Sequence, residues 1–176
     1  MRYGTWIAIS AALAAGCSNK PTPVTEPYQV GEHRFRVPRN VVVNATEDSL
    51  AIYMRVSDSE LLDRDADDER LFVQIQDGRQ PDITAAIAAL KRYGGVVGDE
   101  VHGGLTPIIG GGGDGMYFIR HRYGGASIFC APNGWECRAR VPYRDLSISI
   151  RFAQPLLPGW TRLLDGVLHK VETMEV

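Results

Sequence analysis

Hydrophobic and polar residues alternate with a period of two along much of the chain, which is typical of half-buried β-strands. The clearest run is SLAIYMRV, in which Leu50, Ile52 and Met54 share one face. The same alternation predicts further strands over residues 33–38, 71–76, 115–123, 126–130, 137–143 and 146–152. Strands that follow one another this closely favour antiparallel hairpins.

Two segments show the helical period instead. In the first, Ile83, Ile87 and Leu90 share a face, Pro81 lies near the first turn and Gly94 ends the helix. The second carries one broad apolar stripe, formed by Trp160, Leu163, Leu164, Val167, Leu168 and Val171. Together these elements predict an α+β fold, in which an antiparallel sheet is covered on one face by two helices in a two-layer sandwich.

The N-terminal residues 1–16 have the pattern of a secretory signal peptide. Arg2 is the only charge before Lys20, and an apolar or small-residue stretch follows it over residues 6–15. A membrane-spanning helix needs about 20 apolar residues, so this stretch is too short for a permanent anchor.

The end of this segment, LAAGC, resembles the lipobox of bacterial lipoproteins. In that family the cysteine is acylated with fatty acids such as palmitate and the chain is cut just before it. The usual pattern has leucine three residues before the cysteine, where this chain has Ala14, with Leu13 one position further back. The resemblance implies lipidation of Cys17, and Ser18 after it implies retention at the periplasmic face of the outer membrane.

Cleavage before Cys17 leaves 160 residues with 18 basic and 21 acidic side chains. We expect residues 17–32 to be a lipidated cysteine and a flexible, Pro-rich tether, and residues 33–176 to be a single globular domain. The net negative charge argues against nucleic acid as a partner, because nucleic-acid binding usually leaves a basic surface.

The stretch FCAPNGWEC holds the two remaining cysteines, Cys130 and Cys137. Their spacing is not that of a CxxC redox motif, and no further metal ligands lie nearby. A periplasmic location permits a disulfide. A four-residue loop from Pro132 to Trp135 places the cysteines opposite each other, with Cα atoms about 4.5 Å apart. The stretch therefore predicts a disulfide-stapled hairpin with Asn133 and Trp135 at its tip.

An acidic segment lies between two predicted strands. Asp63, Asp65 and Asp67 have the spacing of the first ligands of an EF-hand, but Asp68 and Gln74 occupy the positions that require Gly and Glu. Three interpretations remain open: a solvated acidic turn, a looser calcium site, or a negative patch that meets a basic protein partner.

Motifs for catalysis are missing from the sequence. It contains no GxSxG elbow and no HExxH pair, and the glycine run 110–113 lacks the Lys-Ser/Thr of a P-loop. We therefore expect a binding protein without enzymatic activity or cofactor, and we assign no metal ligands.

Two segments of the domain, FRVP near its start and LLPGWTRLLDGVLHKV at its end, together with the lipobox, resemble a known family. They are similar to the small periplasmic immunity lipoproteins encoded beside antibacterial type VI secretion effectors; a comparable class accompanies type IV killing systems.

This resemblance implies a protein that binds and neutralises a toxin, and it carries over no catalytic residues. The expected contact residues are those of the acidic segment and the hairpin tip: Asp63, Asp65, Asp67, Asp68, Asn133 and Trp135. The alternative is a structural or accessory lipoprotein of an envelope assembly or secretion machine.

Overall fold

The computed structural model describes residues 24–66, 69–79, 83–101, 103–113, 115–132 and 134–176. The predicted signal peptide, Cys17, Asp67, Asp68, Pro81 and Asn133 lie outside the described residues. Within those ranges, no helix has the length and apolar character needed to cross a bilayer.

Strands dominate the described part of the chain. They are β1 Thr25–Val30, β2 His33–Pro38, β3 Val42–Thr46, β4 Ser49–Arg55, β5 Arg70–Asp77, β6 Val96–Val97, β7 Thr106–Ile109, β8 Met116–His121, β9 Gly124–Cys130, β10 Glu136–Tyr143 and β11 Leu146–Ala153. The α-helices are α1 Ile83–Arg92 and α2 Trp160–Met174, and short 3-10 segments span Arg39–Val41 and Gln154–Gly159.

Nine of these strands form one antiparallel sheet in the order β3-β4-β5-β11-β10-β9-β8-β7-β6. Strands β1 and β2 form a separate two-stranded hairpin. Residues 25–30, which the sequence analysis assigns to the tether, are thus a strand of the folded unit, and Val30 is fully buried.

The core lies between one face of the nine-stranded sheet and a layer made of α2 and the β1–β2 hairpin. Helix α2 contributes the apolar stripe that its sequence predicts. The sheet contributes alternate side chains from each central strand, such as Ile52, Val73 and Ile150. This burial of apolar surface is the main stabilising contribution to the fold.

The prediction of two helices on one face is wrong. The structure is mostly β, and among the described residues α2 is the one long helix that packs on the core face. None of the residues of α1 is fully buried. Gly125 alternates with the buried residues Ala126 and Ile128 of β9, so a side chain at Gly125 would project to the face opposite α2. A Cβ atom there would come within 1.9 Å of Ile83 in α1. Helix α1 therefore lies on the face opposite α2. The reason is space, because α2 and the β1–β2 hairpin already fill the core face.

The disulfide between Cys130 and Cys137 is present, as predicted. The two cysteines are direct cross-strand partners with Cα atoms 4.0 Å apart. The N–H of Ala131 donates to the carbonyl oxygen of Glu136 at 3.0 Å, which closes the predicted four-residue loop.

Replacing both cysteines, Cys130→Ala with Cys137→Ala, should lower the free energy of unfolding by about 2.5 kcal/mol, because the short cross-linked loop no longer restricts the unfolded chain. Urea unfolding of the oxidised wild type, the reduced wild type and the double variant measures this. The reduced wild type should unfold with the double variant. A reduced protein as stable as the oxidised one would contradict the prediction.

Candidate functional site

The face of the nine-stranded sheet that points away from α2 is called the open face here. Because side chains alternate along a strand, the residues between the buried ones point to this face. Strand register aligns six of them in one continuous row across neighbouring strands β4, β5, β11, β10, β9 and β8. This central row consists of Tyr53, Phe72, Arg151, Arg138, Phe129 and Met116.

Aromatic rings support the arginines at one end of the open face. The guanidinium of Arg151 lies 4.5 Å from the ring centroid of Phe72, and that of Arg70 lies 5.1 Å from the ring centroid of Tyr53. The rings of Tyr53 and Phe72 meet edge to face at 5.9 Å. Stacking of this kind holds a planar guanidinium in place, and it leaves the N–H groups at the edge of Arg151 able to donate to a partner.

The centre of the row places two positive charges side by side. Arg138 and Arg151 are direct cross-strand partners, and Arg140 follows Arg138 on the same side of β10. None of the three forms an ion pair with any carboxylate that the structure describes. Like charges directly opposite each other in a sheet are unfavourable. The open face therefore carries a local excess of positive charge, with Glu136 on the same side of β10 as Arg138 and Arg140.

Two shallow cavities lie on this face. One, of about 340 Å³, is lined by Tyr53, Arg70, Phe72, Trp135, Arg151 and the neighbouring end of β11. The other, of about 400 Å³, is lined by Met116, Ser127, Phe129, Ala131, Arg138 and Arg140. Glu136 borders both cavities and is the one carboxylate among their described lining residues.

Trp135, which the sequence places at the hairpin tip, stands at the rim of the first cavity. It is 79% exposed, and Phe129 in the central row is 46% exposed. Tryptophan, tyrosine and arginine are the residues that most often carry binding energy at protein interfaces. The structure thus brings Trp135 together with a surface that the sequence analysis did not identify.

The acidic segment has a structural role at the edge of the sheet. Asp63 accepts hydrogen bonds from the side chain of Asn40 at 2.7 Å and from the backbone N–H of Asp65 at 3.1 Å. These bonds lower the pKa of the Asp63 carboxyl. Arg70 donates to the carbonyl oxygens of Arg64 and Ala66, which ties the segment to β5. Among the described residues, no group of three potential ligands could hold a metal ion.

A cluster around His33 looks at first like catalytic machinery. Its Nε2 lies 2.5 Å from Asp145 and its Nδ1 lies 2.7 Å from Glu175. Tyr143 and Arg144 also donate to Glu175, at 2.8 and 2.6 Å. Because carboxylates hold both ring nitrogens, His33 has no nitrogen left to act on a substrate. The cluster instead clamps the end of α2 to β2 and to the β10–β11 turn.

Burial acts to lower the pKa of His33, but its hydrogen bonds with Glu175 and Asp145 outweigh this effect, so the pKa is raised. Burial acts to raise the pKa of Glu175, but the bonds from His33 and Tyr143 dominate and lower it. The bond from His33 likewise lowers the pKa of Asp145. All three pKa shifts favour the charged forms of these side chains.

A third cavity, of about 500 Å³, opens beside the start of α2, where it is lined by Asp58, Ser59, Arg162 and Gly166 among others. Ser59 is buried and has a positive φ of 59°. A Cβ at Gly166 would lie 2.5 Å from the Ser59 hydroxyl oxygen, so this serine packs closely against α2. No histidine is among the described lining residues, so the site offers Ser59 no base of that type.

Neither the family models nor the curated protein sequences contain a match to this chain. Among solved structures, its fold is similar to that of Smlt3025, an immunity protein of the Stenotrophomonas maltophilia type IV secretion system. The two structures agree with a TM-score of 0.63 at 12% sequence identity, over 86% of this chain and 93% of that one. At this identity the likeness establishes a shared fold.

The cluster around His33 predicts that the free energy of unfolding depends on pH. Because the pKa of His33 is raised in the folded protein, the stability that its charged form contributes is fully present below pH 6.5, the pKa in the unfolded chain. This stability is lost as pH rises through the folded-state pKa. The pKa values of Asp145 and Glu175 are lowered, so these carboxylates stabilise the folded protein above about pH 4.5, and this stabilisation is lost as pH falls.

Replacement of His33→Gln should therefore destabilise the protein most between about pH 4.5 and 6.5, with a smaller difference above the folded-state pKa. Urea unfolding of the variant and the wild type across pH measures the difference. The control is His169→Gln at an exposed position of α2, which should leave the free energy of unfolding unchanged. If His33→Gln lowers the free energy of unfolding by the same amount at every pH, the proposed charged role of His33 in this cluster is contradicted.

Proposed function

We propose that this chain is an immunity protein that binds and neutralises an antibacterial effector delivered by a secretion system. The observation that carries the proposal is the fold, which it shares over most of its length with an immunity protein of a type IV secretion system. The open face supports it, because it offers an accessible surface rich in the residue types of protein interfaces. The neighbour's system favours type IV delivery over the type VI delivery that the sequence resemblance implies.

The proposed location is the periplasmic face of the outer membrane, with the protein anchored through acylated Cys17. This rests on the lipobox-like residues at positions 13–17 and on Ser18. An anchored domain would meet an effector where it enters the periplasm. The tether that the sequence predicts after Cys17 would connect the lipid to the domain.

Neutralisation requires no chemistry in this proposal. A tightly bound protein can block an active site by covering it, and specific interfaces usually bury about 800 Å² on each partner. We propose the open face and Trp135 as the contact surface, ahead of the acidic segment, because Asp63 is already engaged by Asn40.

Deletion of the gene should make a strain sensitive to its parent when the two are grown in contact, and a plasmid copy should restore survival. Competition plating measures this, with a parent that lacks its secretion machine as the control attacker. If the deletion strain survives the parent but becomes sensitive to detergents, the structural or accessory role is favoured and the immunity proposal is overturned.

Replacement of Cys17→Ser should remove acylation and keep the protein out of the outer-membrane fraction. Labelling with radioactive palmitate and membrane fractionation test this directly. We expect protection in the competition assay to fall, because the protein is no longer anchored at the outer membrane. A Cys17→Ser protein that still incorporates palmitate would contradict the lipidation proposal.

A further inference from the structure

We infer that the open face binds an acidic segment of a protein partner, whose carboxylates pair with Arg138 and Arg151 while a neighbouring apolar side chain enters the cavity beside Phe129. The inference rests on the proposed function only for the identity of that partner. It reverses the charge expected from the sequence, where an acidic segment of this chain meets a basic partner.

The first argument is charge. Arg70, Arg138, Arg140 and Arg151 line the two cavities of the open face, against Glu136 as their one described carboxylate. This local excess contrasts with a chain whose formal net charge is −2. A cationic surface on an acidic protein is selective for anionic groups, and complementary charge both speeds association and excludes wrong partners.

The second argument is the arrangement of the pair. Arg138 and Arg151 are cross-strand partners, so their guanidinium groups extend from adjacent positions of the same face. A carboxylate between them would bind both and remove their mutual repulsion. Phe72 already supports Arg151, so less side-chain freedom is lost on binding than for an unsupported arginine.

The third argument is the apolar surface that flanks the pair. In the central row, the arginines have Phe72 and Tyr53 on one side and Phe129 and Met116 on the other. An inorganic anion would use the charges alone and leave these rings exposed. A protein segment that carries both carboxylates and an apolar side chain uses both features, which is why we favour it.

The test compares two double variants with the same change in charge. Arg138→Gln with Arg151→Gln alters the open face. Arg34→Gln with Arg36→Gln alters exposed positions on β2, in the layer on the other side of the sheet. The probe is a fluorescein-labelled octaglutamate peptide, titrated by anisotropy against the full chain in a non-ionic detergent at low and at physiological salt.

We expect the wild type to bind the peptide and Arg138→Gln/Arg151→Gln to bind at least about tenfold more weakly, because two charge-assisted hydrogen-bonding groups are lost. The Arg34→Gln/Arg36→Gln control should stay within about twofold of wild type at physiological salt, where distant charges are screened. Equal loss in both variants, or no binding by the wild type, would overturn the inference. Urea unfolding of each variant checks that the fold is intact.

Two further measurements separate other occupants of the face. Binding to phosphatidylglycerol vesicles but not to octaglutamate would overturn the inference in favour of an anionic membrane. A concentration-dependent dimer in sedimentation, abolished by Arg138→Gln/Arg151→Gln, would overturn it in favour of a second copy of this chain.

The competition assay then separates this inference from the proposed function. If the deletion strain is sensitive and the Arg138→Gln/Arg151→Gln protein still protects it fully, immunity stands and the open face is not the contact surface. If the variant loses octaglutamate binding but the deletion strain is never sensitive, the acidic ligand stands and the immunity proposal fails.

Discussion

A nine-stranded sheet has two faces to cover, and the part of the chain that the structure describes has one long amphipathic helix with which to cover them. Burial of the α2 stripe against the sheet, completed by the β1–β2 hairpin, accounts for the core. On the other face, the one helix among the described residues is the short α1 near Gly125. Because α2 and the β1–β2 hairpin cover one face, that face forms the core, and much of the other face remains accessible to a partner.

Ionic contacts hold α2 against the edges of this core. At the end of the helix, Glu175 is bound by His33, Tyr143 and Arg144. One turn earlier, Glu172 accepts hydrogen bonds from Arg122 and Tyr123, which lie between β8 and β9. These contacts connect the helix to strands on both sides of the sheet centre. A sheet fixed in this way presents its open face with little rearrangement, which reduces the cost of binding.

The open face and the proposed biology fit together physically. A neutralising protein needs an accessible surface with strong anchor residues, and it does not need a deep reactive cleft. The aromatic-supported arginines and Trp135 supply such anchors, and the disulfide next to Trp135 restricts the hairpin that carries it. The fold, which is similar to that of an immunity protein, and the sequence resemblance at the two ends of the domain are the two grounds of the proposed function.

Strand and helix identities were accessible from the sequence because they depend on local periodicity. The alternation around Ile52 predicted β4, the apolar stripe of α2 predicted its buried face, and loop length predicted that Cys130 faces Cys137. Strand β1 is not predicted, since its full burial is confined to Val30, and Pro27 together with Pro21 and Pro23 before the strand suggests a tether. The side of the sheet that α1 covers was also missed, because it depends on what already occupies the other side.

The central row belongs to the tertiary structure. Arg138 and Arg140 alternate with buried residues of β10, so the sequence contained the signal that they share an outward face. It did not contain the strand order that sets Arg151 beside Arg138 and Phe72 beside Arg151. Alternation is a property of each strand alone, whereas a surface shared by several strands requires long-range pairing to align them. The sequence therefore identified the dense acidic segment, and only the folded sheet revealed the cationic face.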